Sequence, residues 1–179
     1  MNLLTQELGI ARALLAIWKD SSQDEIAITS EKAYSTLAAV LHRCHSPSQT
    51  DSAIEGFAEK EKGVFREVVG HLSQELAAPN STVRSNVQKL LGEFAQITNK
   101  AVSELLEPLK SSITGQIFKR RLSNYPLPVQ VGNLDALTYF LSLKPPFLAT
   151  ESNLYVVLQD ALQYAEMEDG QGMRNQHDR

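Results

Sequence analysis

Apolar residues recur along this chain at steps of three and four. Leu4, Leu8, Ala11, Leu15 and Trp18 share one helical face, as do Ala33, Leu37, Val40, Leu41 and Cys44. Between these stripes the polar stretch 19–28, with Ser22 and Glu25 spaced as a capping box, predicts a short turn. Pro47 ends the second helix. From Asp51 the pattern Ile54, Phe57, Val64, Phe65, Val68, Leu72 and Leu76 runs for several turns, with Gly56, Gly63 and Gly70 marking places for a bend or a break. The boundary at Ala78-Pro79-Asn80-Ser81 combines a helix stop with a capping residue.

Two strong stripes follow. Val83, Val87, Leu90, Leu91, Phe94 and Ile97 form one, and Val102, Leu105, Leu106, Leu109, Ile113 and Ile117 form the other. The only turn signal between them is Thr98-Asn99, which predicts two antiparallel neighbours. Residues 119–132 interrupt the rhythm, with Pro126, Pro128 and Gly132 opposing a long helix. Leu134, Leu137, Phe140 and Leu141 resume a short helix that Pro145 and Pro146 end, and Leu154, Leu158, Ala161, Leu162 and Ala165 make the last stripe. No segment alternates with a period of two. The expected fold is all-α: antiparallel helical hairpins of about 40 residues, stacked as a HEAT or armadillo-like solenoid. One helical-repeat domain is expected over residues 1–168, with its best HEAT-like unit at 76–117, and a flexible polar tail over 169–179.

Composition narrows the function classes. Hydrophobic residues make up 42% and charged residues 21% of the 179, the balance of a folding chain. The net charge of −4 gives no general electrostatic reason to bind nucleic acid or an anionic membrane, so the expected partners are proteins. Glu7 and Arg12 interrupt the first apolar pattern, unlike the core of a signal peptide, and no apolar run approaches the length of a membrane span. Cys44 is the single cysteine, which excludes an intrachain disulfide and fits a reducing compartment, cytosol or nucleus.

Candidate chemistry is sparse. His42, Cys44 and His45 are the one cluster with metal-capable side chains, but on a helix His42 and Cys44 point about 200° apart. A helix-end histidine pair beside a packed thiol is the favoured reading, with a small metal protein using His42 and His45 as the contrasting one. Neither a nucleophile elbow nor a phosphate or dinucleotide loop is present, so no catalytic residue, metal or cofactor is assigned. The charges around Glu59, Lys60, Glu61, Lys62, Arg66 and Glu67 have the mixed signs of a solvated helix face. Lys119, Arg120 and Arg121 form a basic triplet, a candidate contact patch whose structural alternative is dipole matching at the end of the helix over 102–117. Pro126, Pro128 and Pro145-Pro146-Phe147 are read as setting angles between helical pairs, with Phe147 and Tyr139 filling the space between layers.

One resemblance rests on runs of residues. Glu104-Leu105-Leu106-Glu107-Pro108-Leu109-Lys110, Lys119-Arg120-Arg121-Leu122, Val129-Gln130-Val131-Gly132, Leu143-Lys144-Pro145-Pro146-Phe147, and the stretch from Asn153 to Asp169 are similar to the transformation/transcription domain-associated (TRRAP) family. Pro79 to Arg84 fits the HEAT hairpin preceding those runs. The resemblance implies a fragment of the HEAT region of a very large protein with a kinase-like domain lacking catalytic residues. It further implies a nuclear, non-enzymatic scaffold within SAGA-type and NuA-type histone acetyltransferase complexes, acting in transcription regulation by binding activators and complex subunits. The alternative is an unrelated HEAT-type adaptor, a transport or phosphatase scaffold in the cytoplasm. A short solenoid without polar caps leaves apolar surface exposed, so the isolated chain is expected to self-associate.

Overall fold

A computed structural model describes residues 54–163, together with the helical, exposed positions Ala13 and Ala16. The first two stripes, the histidine and cysteine cluster, and the expected boundary at 168 and 169 lie outside the described residues. Six helices are described over 54–163: α1 (Ile54–Glu75), α2 (Ser81–Thr98), α3 (Val102–Leu106), α4 (Lys110–Ile117), α5 (Leu127–Ser142) and α6 over 154–163. No strand occurs among the described residues. The fold is an all-α solenoid of stacked hairpins, as the periodicity predicts.

Helix α1 passes through Gly56, Gly63 and Gly70 without a break. Beyond Glu75 the chain tightens, with Ala78 N–H donating to the Glu75 carbonyl at 3.1 Å. Pro79 follows, and Asn80 then caps α2: its Oδ1 accepts from Thr82 N–H at 2.9 Å and Val83 N–H at 3.4 Å. At the far end Asn99 takes the left-handed conformation (φ 52°, ψ 43°), and Lys100 N–H reaches back to the Ala95 carbonyl at 3.0 Å. This closes the helix in the manner of a Schellman motif. The turn is short, so α3 returns against α2. Gln116 Nε2, near the end of α4, donates to the Gln74 carbonyl near the end of α1 at 3.3 Å. The ends of α1 and α4 therefore lie together, as an up, down, up path requires.

Two proline effects differ from expectation. The stripe over 102–117 predicts one helix, yet it divides into α3, a 3-10 turn over Glu107–Leu109, and α4. Pro108 has no N–H to donate to the Glu104 carbonyl and its ring crowds that group, so the α-helical ladder is interrupted there. Conversely, Pro126 and Pro128 do not oppose a long helix but begin one. A proline in the first helical turn gives up an N–H that has no helical partner, and α5 runs for 16 residues straight through Gly132.

A single apolar core links the layers. Val68 and Leu72 of α1, Leu76 just beyond it, Val83, Val87, Leu90, Leu91 and Phe94 of α2, and Leu105, Leu106, Ile113 and Ile117 of the return helices are buried together. Ala136, Leu137 and Phe140 of α5 join them, followed by Phe147, Leu148 and Val157. Phe147 meets Phe140 edge-on, with ring centroids 5.4 Å apart, and its N–H donates to the Phe140 carbonyl at 2.8 Å. Leu148 adopts a left-handed backbone (φ 63°) while its side chain is buried. The last stripe is divided differently from expectation. Leu154, Val157 and Ala161 pack on the core, whereas Leu158 and Leu162 remain 49% and 65% exposed. Helix α6 is rotated because buried Asp160 accepts the Leu122 N–H at 3.2 Å, which turns the 157 and 160 positions inward.

The helix α5 crosses the α1 to α2 turn at Gly132. A Cβ there would overlap the Ala77 carbonyl oxygen and lie 2.9 Å from that of Ala78. Gly132→Ala is expected to lower stability by about 1–3 kcal/mol through overpacking against backbone that cannot yield. Gly63→Ala, where an added Cβ meets open space, is expected to be neutral or stabilising, and urea denaturation compares the two.

Tyr139 beside Phe140 supplies a pH signature. Burial pushes its phenol up to about 12 from 10.0. Below pH 10 the phenol keeps its proton whether the chain is folded or unfolded. Between pH 10 and about 12 the unfolded chain loses that proton more readily, so stability falls as pH rises. Tyr139→Phe is expected to flatten this part of the curve of denaturation midpoint against pH.

Candidate functional site

The most constrained polar site lies at the junction between hairpins, and Arg84 is its centre. Arg84 stands in the first turns of α2, with only 6% of its side chain exposed. Its Nη1 donates to the carbonyls of Ala78 at 2.7 Å and Pro79 at 2.9 Å, and its Nη2 bonds Asp135 of α5. One guanidinium thus holds the α1 to α2 turn, the start of α2 and the middle of α5. Planar, multiply donating geometry suits this task in a way an ammonium does not. The sequence pattern around Val83-Arg84 marks the HEAT unit but does not reveal this partner 51 residues away.

The basic triplet is surface. Lys119, Arg120 and Arg121 follow α4 and are all exposed, and none forms an ion pair with a described residue. They border a recess of about 150 Å³ with Phe118, Asn153 and Val157. Leu122, directly after them, is held by Asp160, so the triplet is presented from an anchored segment. The dipole reading applies to a shorter helix than expected, since α4 ends at Ile117 and has no basic residue in its last turn.

Two further surfaces are visible only in three dimensions. Leu127 and Val131 of α5 are exposed four residues apart, and Tyr155, Leu158 and Leu162 make an outward stripe on α6. Each has the spacing of a face that another helix covers. A cleft of about 410 Å³ lies between α3 and the segment after α5. Phe147 is buried against Phe140, and Pro145, Pro146 and Phe147 form one wall of this opening. Among the described residues no group of three His, Cys, Asp or Glu side chains is placed to hold a metal ion, and no helix is long and apolar enough to cross a membrane.

Hairpins joined by short turns, a continuous core between layers, and apolar stripes left on outer helices define a segment of a helical-repeat solenoid. Comparison with known proteins places it further. The family model described as the Tra1 HEAT repeat ring region matches residues 3–179, and the chain belongs to that family. It is 27% identical over 176 residues to the transformation/transcription domain-associated protein of Danio rerio, covering 96% of this chain and 5% of that protein. It is 27% identical over 171 residues to the protein of the same name in Homo sapiens, covering 93% and 4%. The SAGA complex/NuA4 acetyltransferase complex subunit TRA1 of Saccharomyces cerevisiae is 28% identical over 163 residues, covering 91% and 4%. The chain therefore spans about one-twentieth of the length of these relatives.

The two ends of the Arg84 contact differ in burial, and their substitutions should differ accordingly. Arg84→Met leaves the Ala78 carbonyl without its donor in a buried position, and is expected to cost about 1–3 kcal/mol. Asp135 has 51% of its side chain exposed, so Asp135→Asn is expected to cost less than about 1 kcal/mol. Equal losses in chemical denaturation would place the weight of the contact on the ion pair instead.

Proposed function

We propose that this chain is a non-catalytic scaffold segment that works by protein contact within a nuclear, transcription-regulating assembly of the SAGA or NuA4 acetyltransferase type. The observation that carries the reading is the match of the Tra1 ring family over residues 3–179, combined with relatives whose names place them in such complexes. The geometry supports it in a second way: the polar side chains with the most demanding positions, Arg84, Asp160 and Asn80, are engaged in holding helices. The exposed Lys119, Arg120 and Arg121 are, in this reading, a cationic contact patch for a neighbouring subunit. The contrasting reading, a small metal protein built on His42 and His45, concerns residues outside the described part of the chain.

Affinity purification of the endogenous protein, followed by mass spectrometry, tests the proposal. Co-purification of acetyltransferase-complex subunits in defined stoichiometry is the expected result, and their absence would overturn the assignment to that assembly.

The outer stripes make a prediction for the 179-residue chain studied alone. It is expected to self-associate, with the weight-average mass in sedimentation rising with concentration. The combined substitution Tyr155→Ser, Leu158→Gln and Leu162→Gln should reduce that rise without lowering helix content, because these side chains are already in water. A strictly monomeric parent chain would show that these stripes do not drive association.

A further inference from the structure

The loop between α4 and α5 carries the run Lys119-Arg120-Arg121-Leu122-Ser123. Ser123 is the only serine or threonine of the sequence with arginine both two and three positions before it. The structure divides the run by burial. Leu122 is 3% exposed and its N–H is held by Asp160 at 3.2 Å, whereas Lys119, Arg120, Arg121 and Ser123 are exposed. The three cations form no ion pair with a described residue, and the Ser123 hydroxyl has no hydrogen bond to one. By contrast Ser73, Thr98, Thr114, Thr138 and Ser142 each donate to a carbonyl of their own helix. An uncommitted nucleophilic oxygen therefore stands beside two uncommitted arginines.

Protein kinases choose among serines largely by charge, and a groove lined with carboxylates pairs with arginines on the N-terminal side of the acceptor. The forked guanidinium suits that pairing better than an ammonium. On the other side of Ser123 stand Asn124 and Tyr125, neither the proline nor the acidic residue that kinases of other specificity read there. A kinase takes its substrate extended, so the turn has to open. It is held by Asn124 N–H to the Arg121 carbonyl at 3.0 Å, Tyr125 N–H to the Leu122 carbonyl at 3.1 Å, and the Asp160 contact. Such short non-helical connections open more readily than packed helices.

We propose that Ser123 is a phosphorylation site for an arginine-directed serine/threonine protein kinase. The donor is magnesium-bound ATP. Ser123 Oγ forms a bond to the γ-phosphorus, the bond from that phosphorus to the oxygen of departing ADP breaks, and the hydroxyl proton passes to the kinase's catalytic base. The phosphoryl group brings a charge of about −2, so the local charge of +3 from Lys119, Arg120 and Arg121 falls to about +1. It also offers those arginines oxygen acceptors close at hand. The consequence rests on the reading of the triplet as a contact patch: modification withdraws the patch from its neighbouring subunit.

The test incubates the intact 179-residue chain with magnesium-ATP and the catalytic subunit of cyclic-AMP-dependent protein kinase, and locates phosphate by mass spectrometry. One phosphoryl group at Ser123 is expected, with kcat/KM within about a hundredfold of that for a blocked peptide of residues 116–127, the difference reflecting release of Leu122. Arg120→Gln should lower kcat/KM by about tenfold or more, with the helical spectrum unchanged. Labelling of the peptide but not of the folded chain would overturn the proposal. So would phosphate placed on other residues in preference to Ser123, indifference to Arg120→Gln, or equal labelling of Ser123 by a kinase directed to acidic sequences. In the endogenous protein, Ser123→Glu should lower the recovery of co-purifying subunits severalfold, as should Lys119→Glu, and Ser123→Ala should not. If Ser123 is labelled while neither charge change alters recovery, the contact-patch reading falls and the site stands. If Lys119→Glu lowers recovery while the kinase leaves Ser123 bare, the site falls and the patch stands.

Discussion

The close passage of α5 over the turn joining α1 and α2 governs much of this structure. At Gly132 backbone meets backbone: a single added Cβ would overlap the Ala77 carbonyl oxygen. Carbonyls at the end of a helix lack intrahelical donors, so a turn buried beneath another helix needs donors from elsewhere. Arg84 provides them to Ala78 and Pro79, and its remaining nitrogen takes Asp135 from the very helix that covers the turn. The same approach that buries the Ala78 carbonyl thus brings a counter-charge to the arginine that satisfies it. With α5 fixed there, Phe140 enters the core, Phe147 follows onto it, and the position of the loop through Pro145 and Pro146 is determined.

The parts of this arrangement that were legible in the sequence are those governed by local periodicity. The stripes from Val83 to Phe94 and from Leu105 to Ile117 are buried as their spacing predicts, and Asn80 and Asn99 close α2 at both ends. Proline was the less readable signal, because its effect depends on where in a helix it falls. Pro108 sits inside an apolar pattern and breaks it, whereas Pro128 sits in a first turn and is accommodated there. Apolar spacing alone assigned Leu158 and Leu162 to the core. The orientation of α6 is instead decided by a buried carboxylate, Asp160, whose partner is a backbone N–H on a distant segment. Long-range polar contacts of this kind leave no period in the sequence.

The same distinction explains the candidate sites. Lys119, Arg120 and Arg121 are adjacent in sequence and could be singled out before any fold was known. The cleft beside Ser103 could not, because its two sides come from segments about 40 residues apart that meet only when α5 has docked. Its lining combines Glu104, Glu107 and Lys110 with Pro145, Pro146 and Phe147, a set that no single run of sequence contains.

In a solenoid each helical pair is stabilised mainly by the pairs on either side. The core described here is concentrated where α1, α2, α3, α4 and α5 meet, while Leu127, Val131, Tyr155, Leu158 and Leu162 keep substantial apolar surface in water. A self-sufficient globule would turn those residues inward or replace them with polar ones. Their outward position instead couples the stability of this segment to whatever packs on it, so contact with a further helical layer would strengthen the α6 region more than the Arg84 junction, which already has its partners. The asymmetry divides the segment into a preformed part, organised by Gly132 and Arg84, and an outer part whose final packing depends on its surroundings. That division suits a scaffold, in which one stretch must hold its shape while the next receives a neighbour.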